Sequence, residues 1–343
     1  MRLTLPGLLL ALGVCVSIGL LWIHRASSQA RVSTLCVSRV VQQRTDDSPR
    51  RVIIGFADNY GPEALYPYVR SLRDVSWSID LILFTQTVTP EQRALCTHWG
   101  VHLMLYDPAA LPSAAQPLDL GYNNLRFWYV SAYMRNPCVL AAVVNHLQSF
   151  SCKSGDLYDQ FFFTDIRDAL VQSDPFQAVL PSSKHADEVL HVFEHTRSIT
   201  IGACPYNSKW VREVYGEAML AELKDKPIVC AGTTMGTRLA MRNYLMVQMS
   251  EQQNRKVPKN SDQAILEVGV YKGFFTKYPV HVHSNEEAAV FTFAYEFNVR
   301  LDHYYQVVNR TGHVYAYLHT YDRHEALAAI VRARYPLNSK GDL

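Results

Sequence analysis

Residues Phe161, Phe162, Phe163, Thr164, Asp165, Ile166, Arg167 and Asp168 set three aromatics directly before two carboxylates and a guanidinium, and Asp174, Pro175 and Phe176 follow. Open α/β sheets bind ligands just beyond the carboxyl ends of their strands, so an apolar strand that stops abruptly in charge is a place to look for chemistry. Carboxylates there can hold a divalent cation on a diphosphate or hydrogen-bond a sugar. An arginine between them can grip a phosphate in bidentate fashion. The same residues also fit a strand that ends in a solvated acidic turn, and the segment by itself does not choose.

Other candidate groups are less organised. His281 and His283 share one face of any strand that holds them, which a half-exposed strand explains without a metal. His185, His191 and His195 lack ligand partners at a fixed spacing. Gly232-Thr-Thr-Met-Gly236 has neither the Gly-Lys-Ser/Thr of a phosphate loop nor the glycine spacing of a dinucleotide site. No Gly-x-Ser-x-Gly elbow is present, which disfavours that class of hydrolase. No CxxC pair or His/Cys spacing suggests zinc.

The elements that must position these residues follow from hydropathy. Val52-Ile-Ile-Gly-Phe56, then Ala57-Asp58-Asn59, reads as a buried strand and a turn. A helix over 63–73, a strand at 81–84, a helix opened by Pro90 and ended at Gly100, and a strand over 101–106 come next. This alternation predicts a parallel sheet covered by helices on both faces. A helix over 122–134 carries Arg126, which also fits a brace that pairs with an acid. Residues 158–164 form the strand that delivers Asp165, and 188–194 form another. Trp210, Val211, Val214, Tyr215 and Ala218 recur at helical spacing. A short strand at 228–230 precedes the glycine-bounded segment 232–236 and a helix to about residue 250. Asp262 begins a helix capped by Ser261 or Asn260, where any aspartate is at home. A late strand over 314–318 ends in His319-Thr-Tyr-Asp322-Arg323. No repeat is visible, and the one biased stretch is the Ala/Pro/Ser run at 108–117.

Residues 3–23 carry no charge, and such a run suffices to span a ~30 Å hydrocarbon core as a helix. Trp22 stands at its end, where an interfacial aromatic belongs. The run is long for a cleaved signal, although Ala26-Ser27-Ser28 resembles a cleavage site. Either way the rest of the chain is expected in the secretory lumen. Residues 24–50 read as a stem, 51–336 as the folded lumenal domain and 337–343 as a tail. Of the seven cysteines, Cys15 lies in the apolar run. Cys36, Cys96, Cys138, Cys152, Cys204 and Cys230 are expected to serve as accessory disulfides. Asn309-Arg-Thr311 is the one sequon and can carry glycan. A net charge of +2 with 19% charged residues, and no basic helix face, excludes a nucleic-acid partner.

Several of these segments together resemble the A-type (GT-A) nucleotide-sugar glycosyltransferases, over residues 51–335. Phe163-Thr-Asp165-Ile-Arg167-Asp168, with Gln172 and Asp174-Pro-Phe176, looks like their sugar-nucleotide aspartate motif in a variant form. Cys230-Ala-Gly232-Thr233-Thr-Met-Gly236 looks like the acceptor-side loop. Asp262-Gln263-Ala-Ile265 looks like the helix start that points into the site, and His319-Thr-Tyr-Asp322-Arg323 like the C-terminal segment that closes over the diphosphate. The resemblance implies a Rossmann-like GT-A domain in a type II Golgi or ER membrane protein. It implies transfer of a hexose from a nucleotide diphosphate sugar to a glycan, glycoprotein or glycolipid, with Mn²⁺ as cofactor. It assigns Asp165, Arg167, Arg126, Asp58 and His319 to the donor, and Gly232 and Thr233 to the acceptor. Asp262 and Asp168 carry the catalytic roles, with Asp165 and His319 as metal ligands.

One departure bears on the metal. The usual motif is Asp-x-Asp, and here Arg167 occupies the second position. In an extended segment Asp165 and Arg167 would share a face while Asp168 points away. Either Asp165 and His319 hold the ion, or Arg167 neutralises the diphosphate in its place. Two non-catalytic readings stand beside these: a lumenal binder of glycans or partners on the same fold, and, with a cleaved signal, a secreted carbohydrate-binding protein.

Overall fold

The computed structural model describes residues 48–107, 121–135, 158–180, 188–195, 197–255, 261–287, 289–295 and 298–337. The apolar run at 3–23, the stem to residue 47, the stretch at 108–117, and Cys36, Cys138 and Cys152 lie outside the described residues, as does the tail beyond 337. Among the described residues no helix is long and apolar enough to cross a membrane.

The chain opens with β1 (Arg51–Phe56), α1 (Pro62–Val75), β2 (Asp80–Thr85), α2 (Pro90–His98) and β3 (Val101–Leu105), the alternation expected from sequence. Next come α3 (Gly121–Arg135), β4 (Gln160–Thr164), β5 (Ala169–Val171), α4 (Pro175–Val179) and β6 (Leu190–Glu194). Helices α5 (Pro205–Tyr215) and α6 (Glu217–Leu223) lead to β7 (Val229–Thr237), α7 (Arg238–Arg255) and α8 (Asp262–Lys272). Strands β8 (Val280–His283), β9 (Val290–Thr292), β10 (Arg300–Leu301), β11 (Val307–Val308) and β12 (Tyr317–His319) precede α9 (Glu325–Arg334).

Seven strands form the central sheet in the order β3-β2-β1-β4-β7-β6-β8, and β7 alone runs antiparallel to its neighbours. The result is a mixed α/β fold with a mostly parallel sheet. Strands β1, β2 and β4 are continuous apolar runs because both of their faces are covered. On one face Ile54, Phe84, Phe161 and Phe163 pack against Phe127 and Tyr133 of α3 and Tyr244 and Leu245 of α7. On the other, Ile53, Leu83 and Phe162 meet Leu65, Tyr68 and Leu72 of α1 and Leu95 of α2. Thr89 and Gln92 close a reciprocal capping box at the start of α2, and Gly100, at φ +61°, lets the chain turn into β3.

The segment 232–236 departs from expectation. It is no loop: it lies inside β7, which is buried along its whole length. Two glycines and two threonines gave no strand signal, yet the strand pairs with β4 on one side and β6 on the other. Among the described residues, Cys204 and Cys230, expected in disulfides, form no disulfide bond. Both are buried thiols, and Cys204 Sγ receives a hydrogen bond from Asn207 Nδ2 at 3.1 Å.

A second sheet, β5-β12-β9, stands beside the first. It has antiparallel β5/β12 pairing, with His319 opposite Ala169. Gln172 stitches this sheet to the β10–β11 hairpin: its amide donates to Val307 O and Tyr315 O and accepts from Val307 N.

Candidate active site

β4 ends at Thr164, and extended geometry ends with it. Ile166 turns inward into the space that Gly55 leaves: a Cβ on Gly55 would fall 2.2 Å from Ile166 Cγ1. That inward turn changes which side chains share a face. Asp168 comes to the same side as Asp165, and Arg167 turns out, with 48% of its side chain exposed. Arg167 Nη1 pairs with Asp322 Oδ2 at 3.0 Å and Nη2 lies 3.6 Å from Asp168. The expected pairing of Asp165 with Arg167 on one face is therefore overturned, because the alternation of a strand stops where the strand stops.

β5 begins directly after Asp168, and its antiparallel register with β12 carries His319 to the two aspartates. His319 Nε2 is 3.4 Å from Asp165 Oδ2 and 4.0 Å from Asp168 Oδ1. One ligating atom from each of the three lies within 4.8 Å of the other two. Nε2 is buried and lacks hydrogen-bond geometry to any group among the described residues. On the ring's other side, Nδ1 is 3.4 Å from Cys230 Sγ. The next residue, Thr320, holds φ at +58°, a strained conformation for a β-branched residue that costs on the order of 1–3 kcal/mol.

Gly232 of β7 closes the floor. Its carbonyl accepts from Asp165 N at 2.9 Å. A Cβ there would fall 2.5 Å from Asp165 Oδ2 and 2.7 Å from His319 Cε1. Gly232 is thus the backbone on which the donor-side residues rest, and Thr233 beside it is fully buried and pairs in register with Thr164. These positions belong to the floor of the cluster, not to an acceptor-side loop.

Arg126 reaches in from α3. Its Nη1 donates to Asp165 Oδ1, and its Nη2 donates to Asp262 Oδ2 at 2.9 Å. The guanidinium also lies over the Phe163 ring, 5.4 Å from the centroid. Asp262 opens α8 and is buried. Asn124 of α3 locks that helix start by bonding Ser261 through both its amide nitrogen and oxygen. Asp58 is used elsewhere: its oxygens accept from Gln86 N and Tyr106 Oη, each at 2.6 Å, tying the ends of β1, β2 and β3. Asp174 caps α4 and pairs with Arg51 at 3.0 Å. At the sequon, Asn309 is buried and its amide nitrogen donates to Glu286 O, so the folded chain does not present it to solvent.

The cluster's charges separate its two carboxyls. Burial alone would raise Asp165, but the Arg126 guanidinium and His319 outweigh it and hold the carboxyl well below the usual range. Asp168 moves up through burial and the nearby Asp165 charge, against the pull of His319. Burial would lower His319, but Cys230 and Asp165 push it well above the ordinary imidazole range. A carboxylate pair with one imidazole is an O/O/N donor set of the kind Mn²⁺ accepts. Nε2, which faces both carboxylates, is the atom such an ion would use in exchange for the proton held there. The residues therefore fit a divalent cation.

Tyr317 and Tyr60 escaped the sequence, and Gln263 and Cys230, though they stand inside the motifs named above, have contacts that the sequence did not show. Tyr317 Oη donates to Asp165 O at 2.9 Å and bonds Thr164 Oγ1 at 2.7 Å. Gln263 accepts from Ala231 N at 2.8 Å and so clamps α8 to β7. Tyr60 lies near the cluster, its phenol raised by burial and then by Asp165. Cys230 backs His319. None sits in a charged motif; for Gln263 alone, its place after Asp262 was a signal.

No family model matches the chain, and no curated protein matches it. Among solved structures it is similar to the galactosyltransferase LgtC in complex with donor and acceptor sugar analogs. That match has 14% identity, covers 85% of this chain and 100% of that one, and gives a TM-score of 0.48. Similarity to the apo-form glycosyltransferase GlyE of Streptococcus pneumoniae TIGR4 is at 13% identity, with 79% and 54% covered and a TM-score of 0.39. For the apo WbbM bifunctional glycosyltransferase the values are 12%, 72% and 40%, and 0.42. At this distance the likenesses assign no residue a role.

Proposed function

We propose that this chain is a glycosyltransferase that moves a hexose from a nucleotide diphosphate sugar to a glycan, glycoprotein or glycolipid. One observation carries the reading: Asp165, Asp168 and His319, from two distant parts of the sequence, converge just beyond β4 with ligating atoms within 4.8 Å of one another. In this reading the three hold Mn²⁺, which when bound supplies positive charge to the leaving diphosphate. Arg126 fixes Asp165 in place and keeps it ionised. Gly232 lets the backbone approach the cluster closely. Arg167, half exposed beside Asp322, is placed to meet a phosphate arriving from solvent. The same reading puts the domain in the secretory lumen behind an N-terminal anchor, supported by the uncharged run at 3–23 and by Trp22.

A specific observation favours the rival, a binder without turnover. Asp262 is buried and its carboxylate is engaged by Arg126, so it does not face an acceptor hydroxyl as a base. Calorimetry on the full chain in detergent, with UDP and GDP as probes, tests the ligand. Mn²⁺ is expected to tighten one of them by at least ~10-fold, about 1.4 kcal/mol, and Asp165→Asn or His319→Ala should remove that gain. Binding indifferent to EDTA yet lost in Arg167→Ala would hand the diphosphate to the arginine. Slow hydrolysis of a matching nucleotide sugar marks the enzyme; tight binding with no hydrolysis and no transfer marks the binder.

A further inference from the structure

At the far edge of the central sheet, β6 and β8 bring together three histidines that are scattered in sequence. The parallel register sets His191 beside His281, and His283 follows on the same face. His191 Nδ1 and His283 Nε2 are 2.8 Å apart. His281 and His283 stack with centroids 4.1 Å apart, and one ring nitrogen from each of the three lies within 4.8 Å of the others. None of these residues belongs to the Asp165 cluster.

A carboxylate stands behind them. Glu287, in the 3-10 turn Asn285–Glu287, receives the ring of His283: Nδ1 to Oε2 is 2.8 Å. The same oxygen is 3.8 Å from His281 Nε2. Its partner oxygen accepts from Ser284 N at 3.0 Å, which fixes the carboxylate. A carboxylate on the Nδ1–H of a histidine sets the tautomer that leaves Nε2 with its lone pair toward a metal, the usual arrangement behind metal-bound imidazoles. His191 Nδ1 and His283 Nε2 share a hydrogen bond at 2.8 Å. Two nitrogens bound at about 2.0–2.1 Å to one tetrahedral Zn²⁺ lie roughly 3.3–3.4 Å apart, so an ion would take the place of the bridging proton and spread the pair by about half an ångström, within the reach of ring rotation. The His281 ring, 55% exposed, can turn about its side-chain bonds to complete the set.

We propose that His191, His281 and His283 form a binding site for a Zn²⁺-class transition-metal ion, with Glu287 orienting His283, and that the ion pins the edge strand β8 to β6. Three imidazoles favour Zn²⁺, Cu²⁺ or Ni²⁺ over Mn²⁺, so the site differs in kind from the carboxylate-rich cluster. Burial holds His191 and His283 below the ordinary imidazole range. Burial first, then His283 and His281, push His191 down to about 3. An ion there would also reinforce a strand that, among the described residues, lies at the sheet edge with β6 as its partner.

The test is titration of the EDTA-stripped full chain with Zn²⁺, followed by calorimetry, and with Co²⁺ as a spectroscopic probe. One equivalent of Zn²⁺ should bind in the His319→Ala background as in the wild type, and excess Mn²⁺ should not displace it. Affinity should fall by at least ~10-fold in His281→Ala, whose exposed ring makes it safe for folding, and further in His281→Ala/His283→Gln. Glu287→Gln should weaken binding less than removal of a ligand. Unchanged affinity in His281→Ala and the double variant would overturn the site. So would an absence of Zn²⁺ binding in the wild type, or binding lost only with His319. None of these outcomes bears on the sugar-nucleotide reading, which the Mn²⁺ experiment tests separately.

Discussion

Arg126 puts one positive charge between two carboxylates, only one of which reaches solvent: the Asp262 side chain is 7% exposed and that of Asp165 is 36% exposed. Removing the guanidinium strands Asp262 as a buried, unpaired charge, and breaking a buried pair in this way costs about 3–5 kcal/mol. Arg126→Met is expected to lose that much, read from the urea midpoint at unchanged slope. Adding Asp262→Leu should recover at least about half, because the stranded charge goes with it. A loss below ~1 kcal/mol would mean that Arg126 braces nothing. At this scale the sequence was informative about membership and poor about geometry. It picked Asp165, Asp168, Arg126, Asp262 and His319 from residue type and from resemblance. It had Arg167 and Asp168 on the wrong sides, since the turn at Ile166 depends on the missing side chain of Gly55, more than 100 positions earlier.

At the scale of elements, the cluster depends on strands lying close enough for backbone and side chain to touch. Gly232 is the tightest point, and Gly232→Ala should drive Asp165 and His319 apart. The expected cost is about 1–3 kcal/mol for overpacking, together with loss of Mn²⁺-dependent nucleotide binding. Gly236→Ala, where a Cβ meets nothing closer than Val189 O at 3.1 Å, should keep that binding. Equal binding in both variants would remove Gly232 from the floor of the site. Strands β1 to β4 were legible because a doubly covered strand must be apolar throughout. β7 was legible only at its start, in the short strand at 228–230, since Gly-Thr-Thr-Met-Gly fills a crowded place where large side chains have no room. β5 and β9 are too short to give a periodic signal, whereas β12, which delivers His319, falls at the end of the late strand expected over 314–318.

For the whole molecule, one buried acid writes itself into the pH dependence of stability. Glu267 of α8 is fully buried, receives Gln263 Nε2 at 3.0 Å, and has one oxygen with no hydrogen bond among the described residues. Burial holds its carboxyl well above the ordinary 4.5. The folded chain therefore keeps a proton that the unfolded chain releases near 4.5. The stability from this group is full below that pH and is lost as pH rises, by about 1.4 kcal/mol per unit, until the folded carboxyl ionises. Glu267→Gln does not titrate. Its melting temperature should match the wild type near pH ~4 and exceed it increasingly toward pH ~7. No gain at neutral pH would mean that the folded chain holds Glu267 ionised.

The pairing of β5 with β12 also has a consequence in time. Tyr317 and Thr164 touch across 153 positions, and the chain leaves the ribosome from its N-terminus at about 5–20 residues per second. Both aspartates are thus made roughly 8–30 s before their histidine. During that interval β6, β7 and β8 are still being added to the central sheet, and the nascent domain has no means of completing the cluster. Whatever the site does, it cannot begin on an unfinished chain: the last strand to be synthesised in this domain is the one that arms it.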